Sequence, residues 1–464
     1  MTAFLDQLKD IVGPKGWTID PSEMQPHLED WRGAYTGRAA IVVKPASTRE
    51  VIDLVSLCAA ANVAIVPQGG NTSLCGAATP DSSGDQVLMS LSRMNRVRGV
   101  DAENFSMEVE AGCILASAQD AARAAGRFLP LSLGAEGTCQ VGGNIATNAG
   151  GLNVGRYGTA RSLVLGLEVV LADGTVLDGM RALRKDTAGY DLKQLFIGSE
   201  GTLGIITAAV LRLFPDPGET STALVGLGSA SSAVTLLAGL KGRLSDRIES
   251  FELMPRRIFD LVEKHIPDAG LPFAIDHPWY VLIESATNDA PEMLEEALLA
   301  EAENNAILDA VVAKNASEAN ALWRVRHSIA EAEKKEGRAL KHDISVPLSS
   351  MEEFLARGDE LLARLRPDHE LVAFGHVGDG NLHYNVVLPR GLTDDEWRTE
   401  GLRITGALYK LVDELGGSFS AEHGVGQAKK AWLAEYRGGS ELALMKTIKK
   451  TLDPANILNP GKVF

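Results

Sequence analysis

Three of the nine histidines fall in two glycine-rich segments. GHVGDGNLHYN, residues 375–385, carries His376 and His383, and SAEHGVG, residues 420–426, carries Glu422 and His423. Two imidazole nitrogens and one carboxylate suit a divalent cation such as zinc, and three protein ligands leave a position open for substrate. The Gly378-Asp379-Gly380-Asn381 turn allows both imidazoles of the first segment to fold toward one point. Glu422 and His423 are adjacent, so one can serve as ligand and the other as base near neutral pH. The plainer alternative is that each histidine is a satisfied structural residue at a strand end.

Glycine gives a second signal. There are 47 in 464 residues, 16 of them between positions 126 and 204, above the usual share of ~7%. Two loops hold most of this excess: PQGGNTSLCG, residues 67–76, and LGAEGTCQVGGNIATNAGGLNVGRYG, residues 133–158. Glycine lets backbone N–H groups approach a ligand closely, and successive N–H groups form concave nests for anions such as pyrophosphate. Asn71, Thr72, Ser73, Thr138, Asn144, Thr147 and Asn148 add short polar side chains. The pattern predicts a long phosphate-bearing cofactor lying across several loops. A β-rich domain with tight turns is the competing explanation. Neither loop has the G-x-G-x-x-G spacing of a dinucleotide fold, and G-x-x-x-x-G-K-[ST] does not occur.

The elements that must carry these loops read as follows. AIVVKP at residues 40–45 is a strand. Ser47 and Glu50 form a capping-box pattern ahead of Val51, Leu54, Val55 and Cys58 at helical spacing. Residues 64–67, 87–91, 106–110, 167–177 and 205–214 are further strands, with a hairpin turn at Asp173-Gly174. FPDPGE, residues 214–219, marks a boundary. Beyond it, strands at 224–227, 248–253, 279–284, 307–312, 340–346 and 370–376 alternate with helices at 233–244, 291–302, 318–335 and 351–364. Pro291 suits the first turn of its helix. This is an α+β pattern of mostly antiparallel strands with helices on one face. Residues 420–464 form a helical tail.

Composition excludes several classes. A chain of 464 residues with 45% hydrophobic and 23% charged residues is globular, of two or three domains. A net charge of −16 argues against nucleic-acid binding. Four cysteines without a C-x-x-C pair make no disulfide framework and fit a reducing compartment. The N-terminus lacks a signal-peptide pattern, and no apolar run reaches ~18 residues. The expectation is a soluble cytoplasmic protein, with peripheral membrane contact left open.

PQGGNTSLCG, GGNIATNAGG, GSEGTLGIIT and HVGDGNLHYN…SAEHGVG…LNPGK, in this order, resemble the FAD-linked oxidases of the vanillyl-alcohol-oxidase superfamily. Within it they look like the D-2-hydroxyglutarate dehydrogenases, with the D-lactate dehydrogenases and the glycolate oxidase flavin subunit alongside. The resemblance runs from about residue 40 to the C-terminus. It implies an α+β fold with a PCMH-type two-part FAD-binding domain, residues 1–218. An antiparallel-sheet cap domain with helices, residues 219–419, would carry the substrate. A C-terminal helical segment, residues 420–464, would return to the FAD domain.

By the same resemblance, Pro67, Gly69, Gly70, Asn71, Thr72 and Ser73 hold the FAD pyrophosphate and isoalloxazine. So do Gly134, Gly137, Thr138, Gly142, Gly143, Asn144, Thr147, Asn148 and Gly151. Glu200, Gly201, Gly204 and Ile206 continue the cofactor cleft, and Asn459 contributes from the tail. Covalent members carry a His or Cys in these loops. Asn71 stands in PQGGN and only Cys139 lies in the second loop, so non-covalent FAD is expected. The resemblance places metal ligands, for a divalent ion such as zinc, at His376, His383 and Glu422, and the catalytic base at His423. Arg326 and Lys341, with Asn385 close by, would bind substrate carboxylate; Arg can do so bidentately and Lys as a point charge.

The departure is Ala330, where 2-hydroxyglutarate enzymes have a Thr. One donor to a distal carboxylate is lost, which shifts the expectation toward D-malate or D-lactate. Read without the family, Arg326 is a helix-surface ion pair with Glu331 or Glu333. The implied activity is FAD-dependent oxidation of a D-2-hydroxy acid (D-2-hydroxyglutarate, D-malate or D-lactate) to the 2-oxo acid. Electrons would pass to an electron-transfer flavoprotein or a quinone, and the protein would be a homodimer. A metal-dependent hydrolase using the same His/Glu cluster is one alternative. A non-catalytic FAD subunit of a glycolate-oxidase-like complex is the other.

Overall fold

The computed structural model describes residues 2–269, 276–286 and 292–464. The chain divides into two compact units. One comprises Met1–Gly150, Gly158–Asp216 and Glu422–Phe464; the other comprises Gly151–Tyr157 and Pro217–Ala421. Pro291, read as a first-turn proline, lies outside the described residues. Among the described residues no helix is long and apolar enough to cross a membrane.

The first unit contains two sheets. In one, Ile41–Val43 and Ile65–Gln68 flank Val87–Ser90 in parallel, and Trp17–Thr18 adds an antiparallel edge. The three parallel strands are mainly apolar and almost wholly buried, as parallel strands covered on both faces must be. Helix Thr48–Ala61 makes the first crossover, burying Val51, Leu54, Val55 and Cys58. Ser47 caps it by accepting from Glu50 N. The reciprocal half of the expected capping box differs: Glu50 Oε2 accepts from Ala46 N, 2.8 Å, one residue upstream of the cap.

The other sheet is antiparallel, in the order Val97–Asp101, Ser106–Glu110, Ile205–Arg212, Val164–Val170, Val176–Gly179. Residues 167–177 are therefore two strands joined at Asp173-Gly174, with Gly174 at φ 82°. Residues 457–459 of the tail run beside Ile65: Ile65 N donates to Ile457 O at 2.7 Å, and Asn459 N to Ile65 O at 2.8 Å. The tail is only partly helical, with Lys430–Tyr436 and Ser440–Leu452 separated by a Gly-Gly break.

The second unit also holds two sheets, both antiparallel. The larger runs Ile248–Pro255, Trp279–Ala286, Thr220–Leu227, Asp309–Val312. The smaller runs Ala339–Ser345, Asn381–Val387, Glu370–Phe374. Two backbone hydrogen bonds between Leu253 and Gly375, 2.9 and 3.1 Å, tie one to the other. Helix Ala316–Glu336 is capped by Asn315 and packs Leu322, Val325, Ile329 and Ala332 into the core beside Phe259, Leu282 and Phe374. The sequence reading did not include helix Asp394–Glu414. Its start carries a complete capping box between Thr393 and Glu396, a signal present in TDDEW.

Candidate active site

In the first unit the loop at 67–76 and the part of the second loop up to Gly150 lie back to back, while Gly151–Tyr157 belong to the second unit. A Cβ on Gly70 would fall 2.2 Å from Thr138 O, and one on Gly69 would sit at ordinary contact, 3.5 Å, from Gln140 and Gly143. Gly134 and Gly137 border open space. The second loop is not all loop: Val141–Ala146 is a short helix despite two glycines. Gly142 is required there because a Cβ would meet Ala111 Cβ at 2.6 Å. Asn71 and Asn148 take left-handed backbone, φ 53° and 51°, which Asn tolerates better than most residues.

Several residues expected around the cofactor have other partners within this unit. Asn71 Nδ2 donates to Pro26 O and Glu29 O, at 3.0 and 2.8 Å. Glu200, nearly fully buried, accepts from Val425 N and Gly426 N at 2.7 and 2.8 Å. Burial pushes its carboxyl up, and those two N–H groups oppose the shift. Gly201 packs on Pro67 and Gly204 on Val169, each leaving no room for a Cβ, and Ile206 is a buried strand residue. Asn148 Oδ1 accepts from Arg161 N, Thr147 Oγ1 donates to Gly143 O, and Asn144 Nδ2 to Cys139 Sγ. Ser73 Oγ accepts from Cys75 N. Burial pushes the Cys139 thiol up, away from the thiolate that covalent attachment would use. Asn459 Nδ2 donates to Ala77 O and Glu200 O.

Two buried acceptors in the same unit, Gln140 Oε1 and Asn459 Oδ1, have no hydrogen-bond partner. An orphaned buried acceptor costs free energy until something donates to it. Two such acceptors call for donors, which the hydroxyl and N–H groups of FAD supply, while the open backbone at Gly134 and Gly137 leaves room for its phosphates.

In the second unit a face of the smaller sheet gathers most of the reactive residues. Its register pairs Lys341 with Asn385 and Asp343 with His383, and pairs Val372 with Asn385 and Phe374 with His383. Strand alternation puts these six on one side. Asp343 and His383 each offer a ligand atom, and the two lie within 4.8 Å of one another. Gly380, at φ 85° with Val346 O 2.4 Å from where a Cβ would be, closes the turn after Val377–Asp379. That turn brings the His376 and His383 rings to 5.6 Å between centroids. Burial pushes the Asp379 carboxyl up to about 6, against the pull of His376.

His376 Nδ1 lies 2.6 Å from Glu252 Oε1, so any cation it binds is reached through Nε2. The other oxygen of Glu252 accepts from Arg326 Nε and Nη2, at 2.8 and 2.7 Å. Arg326 therefore pairs with a strand carboxylate, not with Glu331 or Glu333 on its own helix. Burial drives the Glu252 carboxyl up, but His376 and Arg326 outweigh it and hold it at about 2. Lys341 Nζ pairs with Glu333 Oε2 at 3.1 Å, and Asn385 Nδ2 donates to Glu333 Oε1 at 2.8 Å.

The chain then returns along this sheet. Ser345 and Ser418 exchange two backbone hydrogen bonds, and Ala421 N donates to Asp343 O at 3.2 Å. Glu422 and His423 follow directly in the chain, with His423 Nε2 3.7 Å from Glu422 Oε1. Imidazole and carboxylate donors of this kind are the ligand set of zinc. The sequence reading gave no site role to Glu252, Glu333, Asp343 or Asn381, whose Nδ2 donates to Asp343 Oδ1 at 3.0 Å. Glu252 was detectable as an acid inside the apolar run IESFELMP, and Asp343 as an alternate residue to Lys341.

Residues 216–463 match the family described as FAD linked oxidases, C-terminal domain, and residues 39–179 match the FAD binding domain family. A rice protein (Oryza sativa subsp. indica) named probable D-2-hydroxyglutarate dehydrogenase, mitochondrial, is 38% identical over 460 residues, covering 98% of this chain and 80% of the relative. The Arabidopsis thaliana D-2-hydroxyglutarate dehydrogenase is also 38% identical over 460 residues, with the same coverage. A putative D-lactate dehydrogenase of Schizosaccharomyces pombe is 35% identical over 477 residues, covering 98% of this chain and 88% of the relative. Among solved structures, p-cresol methylhydroxylase superposes with a TM-score of 0.78 at 17% identity, covering 100% of this chain and 96% of that one. Alkyldihydroxyacetonephosphate synthase does so with a TM-score of 0.75, also at 17% identity, covering 99% and 84%. The α+β fold is thus that of the PCMH-type FAD oxidases, and the chain belongs to the FAD-linked oxidase family as an FAD-dependent oxidoreductase.

Proposed function

We propose that the protein oxidises a D-2-hydroxy acid to the 2-oxo acid, with non-covalent FAD and a divalent cation, zinc, as cofactors. The supporting observation is the face of the smaller sheet in the second unit, where acid-binding and cation-binding side chains stand in one register. The relatives named for D-2-hydroxyglutarate and D-lactate support the same reading. His376, His383 and Glu422 are the proposed metal ligands, with Asp343 added by its place opposite His383. Arg326, Lys341 and Asn385 orient the substrate. His423 is the proposed base: a neutral imidazole takes the hydroxyl proton on nitrogen and holds it as imidazolium. When bound, FAD supplies a hydride acceptor and the cation supplies charge that acidifies the hydroxyl. The four buried cysteines, none of them in a disulfide, accord with a reducing compartment such as the cytoplasm. An electron-transfer flavoprotein or a quinone is the proposed electron acceptor.

The test is anaerobic flavin bleaching by D- and L-lactate, malate and 2-hydroxyglutarate, with and without prior chelation. Bleaching by D-isomers that slows after chelation is the expected outcome. Bleaching by L-isomers alone overturns the stereochemistry, and indifference to prolonged chelation overturns the metal.

A further inference from the structure

Arg326, Ala330 and Glu333 stand at i, i+4 and i+7 on helix Ala316–Glu336 and so share a face. Glu333 is 1% exposed. Its two oxygens take two of the three groups proposed to orient the substrate, Lys341 at 3.1 Å and Asn385 at 2.8 Å. Lys341 is thus neutralised from inside the chain, as Arg326 is by Glu252. The two cations and two carboxylates sum to zero charge. Arg326 spends two of its five N–H donors on Glu252, so it retains donors for one substrate carboxylate. A second carboxylate arriving at Lys341 and Asn385 meets the Glu333 carboxylate already there, and like charges in a water-poor site repel strongly.

We infer that Glu333 determines specificity by occupying the distal-carboxylate position itself, so that the preferred substrate is a D-2-hydroxy monocarboxylate with an uncharged distal chain. The Phe374 ring, on the same face, lies 5.2 Å from the Arg326 guanidinium and 5.1 Å from the His383 ring, and is the apolar neighbour of such a chain. The inference rests on the D-2-hydroxy acid reading above.

The experiment compares flavin reduction by D-2-hydroxybutyrate and D-2-hydroxyglutarate in the FAD-loaded wild type and in Glu333→Gln. Wild type should favour the monocarboxylate by at least about tenfold in kcat/KM, and Glu333→Gln should move that ratio by about tenfold or more toward the dicarboxylate. A ratio is read because a merely structural change lowers both substrates together. The wild-type preference stands as a test even where the variant folds poorly. Equal use of both acids, or preference for D-2-hydroxyglutarate, by wild type overturns the inference alone. So does an unchanged ratio in a folded, FAD-loaded Glu333→Gln. Failure of every D-2-hydroxy acid to reduce the wild-type flavin overturns the functional reading and this inference with it.

Discussion

Glu252 links the two halves of the proposed chemistry in the second unit. One oxygen faces His376 Nδ1 and the other takes Arg326. A carboxylate on the remote nitrogen of a ligating histidine fixes its ring and raises its basicity, and losing such a partner typically weakens metal binding about 10–100-fold. Glu252→Gln retains size but offers a single acceptor, so His376 and Arg326 cannot both be served. Its metal dissociation constant, measured by chelator competition, should rise by about that factor. Unchanged metal retention would show that His376 does not depend on Glu252.

At the level of elements, function depends on close approaches that glycine alone permits. The loops at 67–76 and 133–144 touch where Gly70 faces Thr138 O. A methyl group there, 2.2 Å from a carbonyl oxygen, forces the loops apart. Gly70→Ala should therefore lower the flavin-to-protein ratio of the purified protein, by roughly tenfold in FAD affinity, while leaving the second unit folded. Retention of full flavin would show that the cradle does not need this contact. Helix Ala316–Glu336 works in the opposite way. It is held by its Asn315 cap and apolar stripe, and its rigidity sets Arg326, Ala330 and Glu333 in fixed order along the proposed acid site.

For the molecule as a whole, the tail is part of the first unit, not an appendage. Lys449 Nζ donates to Thr202 O, Leu458 O and Asp453, while Asp453 accepts from Ile457 N and Leu458 N. Burial pushes the Lys449 ammonium down, and Asp453 acts against that. Asp453→Ala leaves a buried cation and two N–H groups without this partner, and should cost about 3–5 kcal/mol. Urea unfolding followed by circular dichroism and flavin release checks this. A second variant replacing both Lys449 and Asp453 with apolar residues should recover part of the loss. A cost within error of zero would mean that the tail is held by other contacts.

The sequence alone determined much of this protein. Apolar runs such as IVV and VLMS, the Ser47 cap and the Asp173-Gly174 turn fixed local elements, because they act through neighbours in the chain. Motif order carried the family and its cofactor. Helix Asp394–Glu414 carried a capping signal that the sequence reading passed over, and the short helix Val141–Ala146 was masked by its two glycines and lack of a side-chain cap. What tertiary structure decided was partnership. Whether Arg326 pairs with Glu331, Glu333 or Glu252, and whether Lys341 is bare or already neutralised, depends on how helix Ala316–Glu336 lies against strands 74 and 8 residues away in the chain. Burial then strengthens those pairings, because charges shielded from water act on one another far more strongly than any spacing in the sequence reveals.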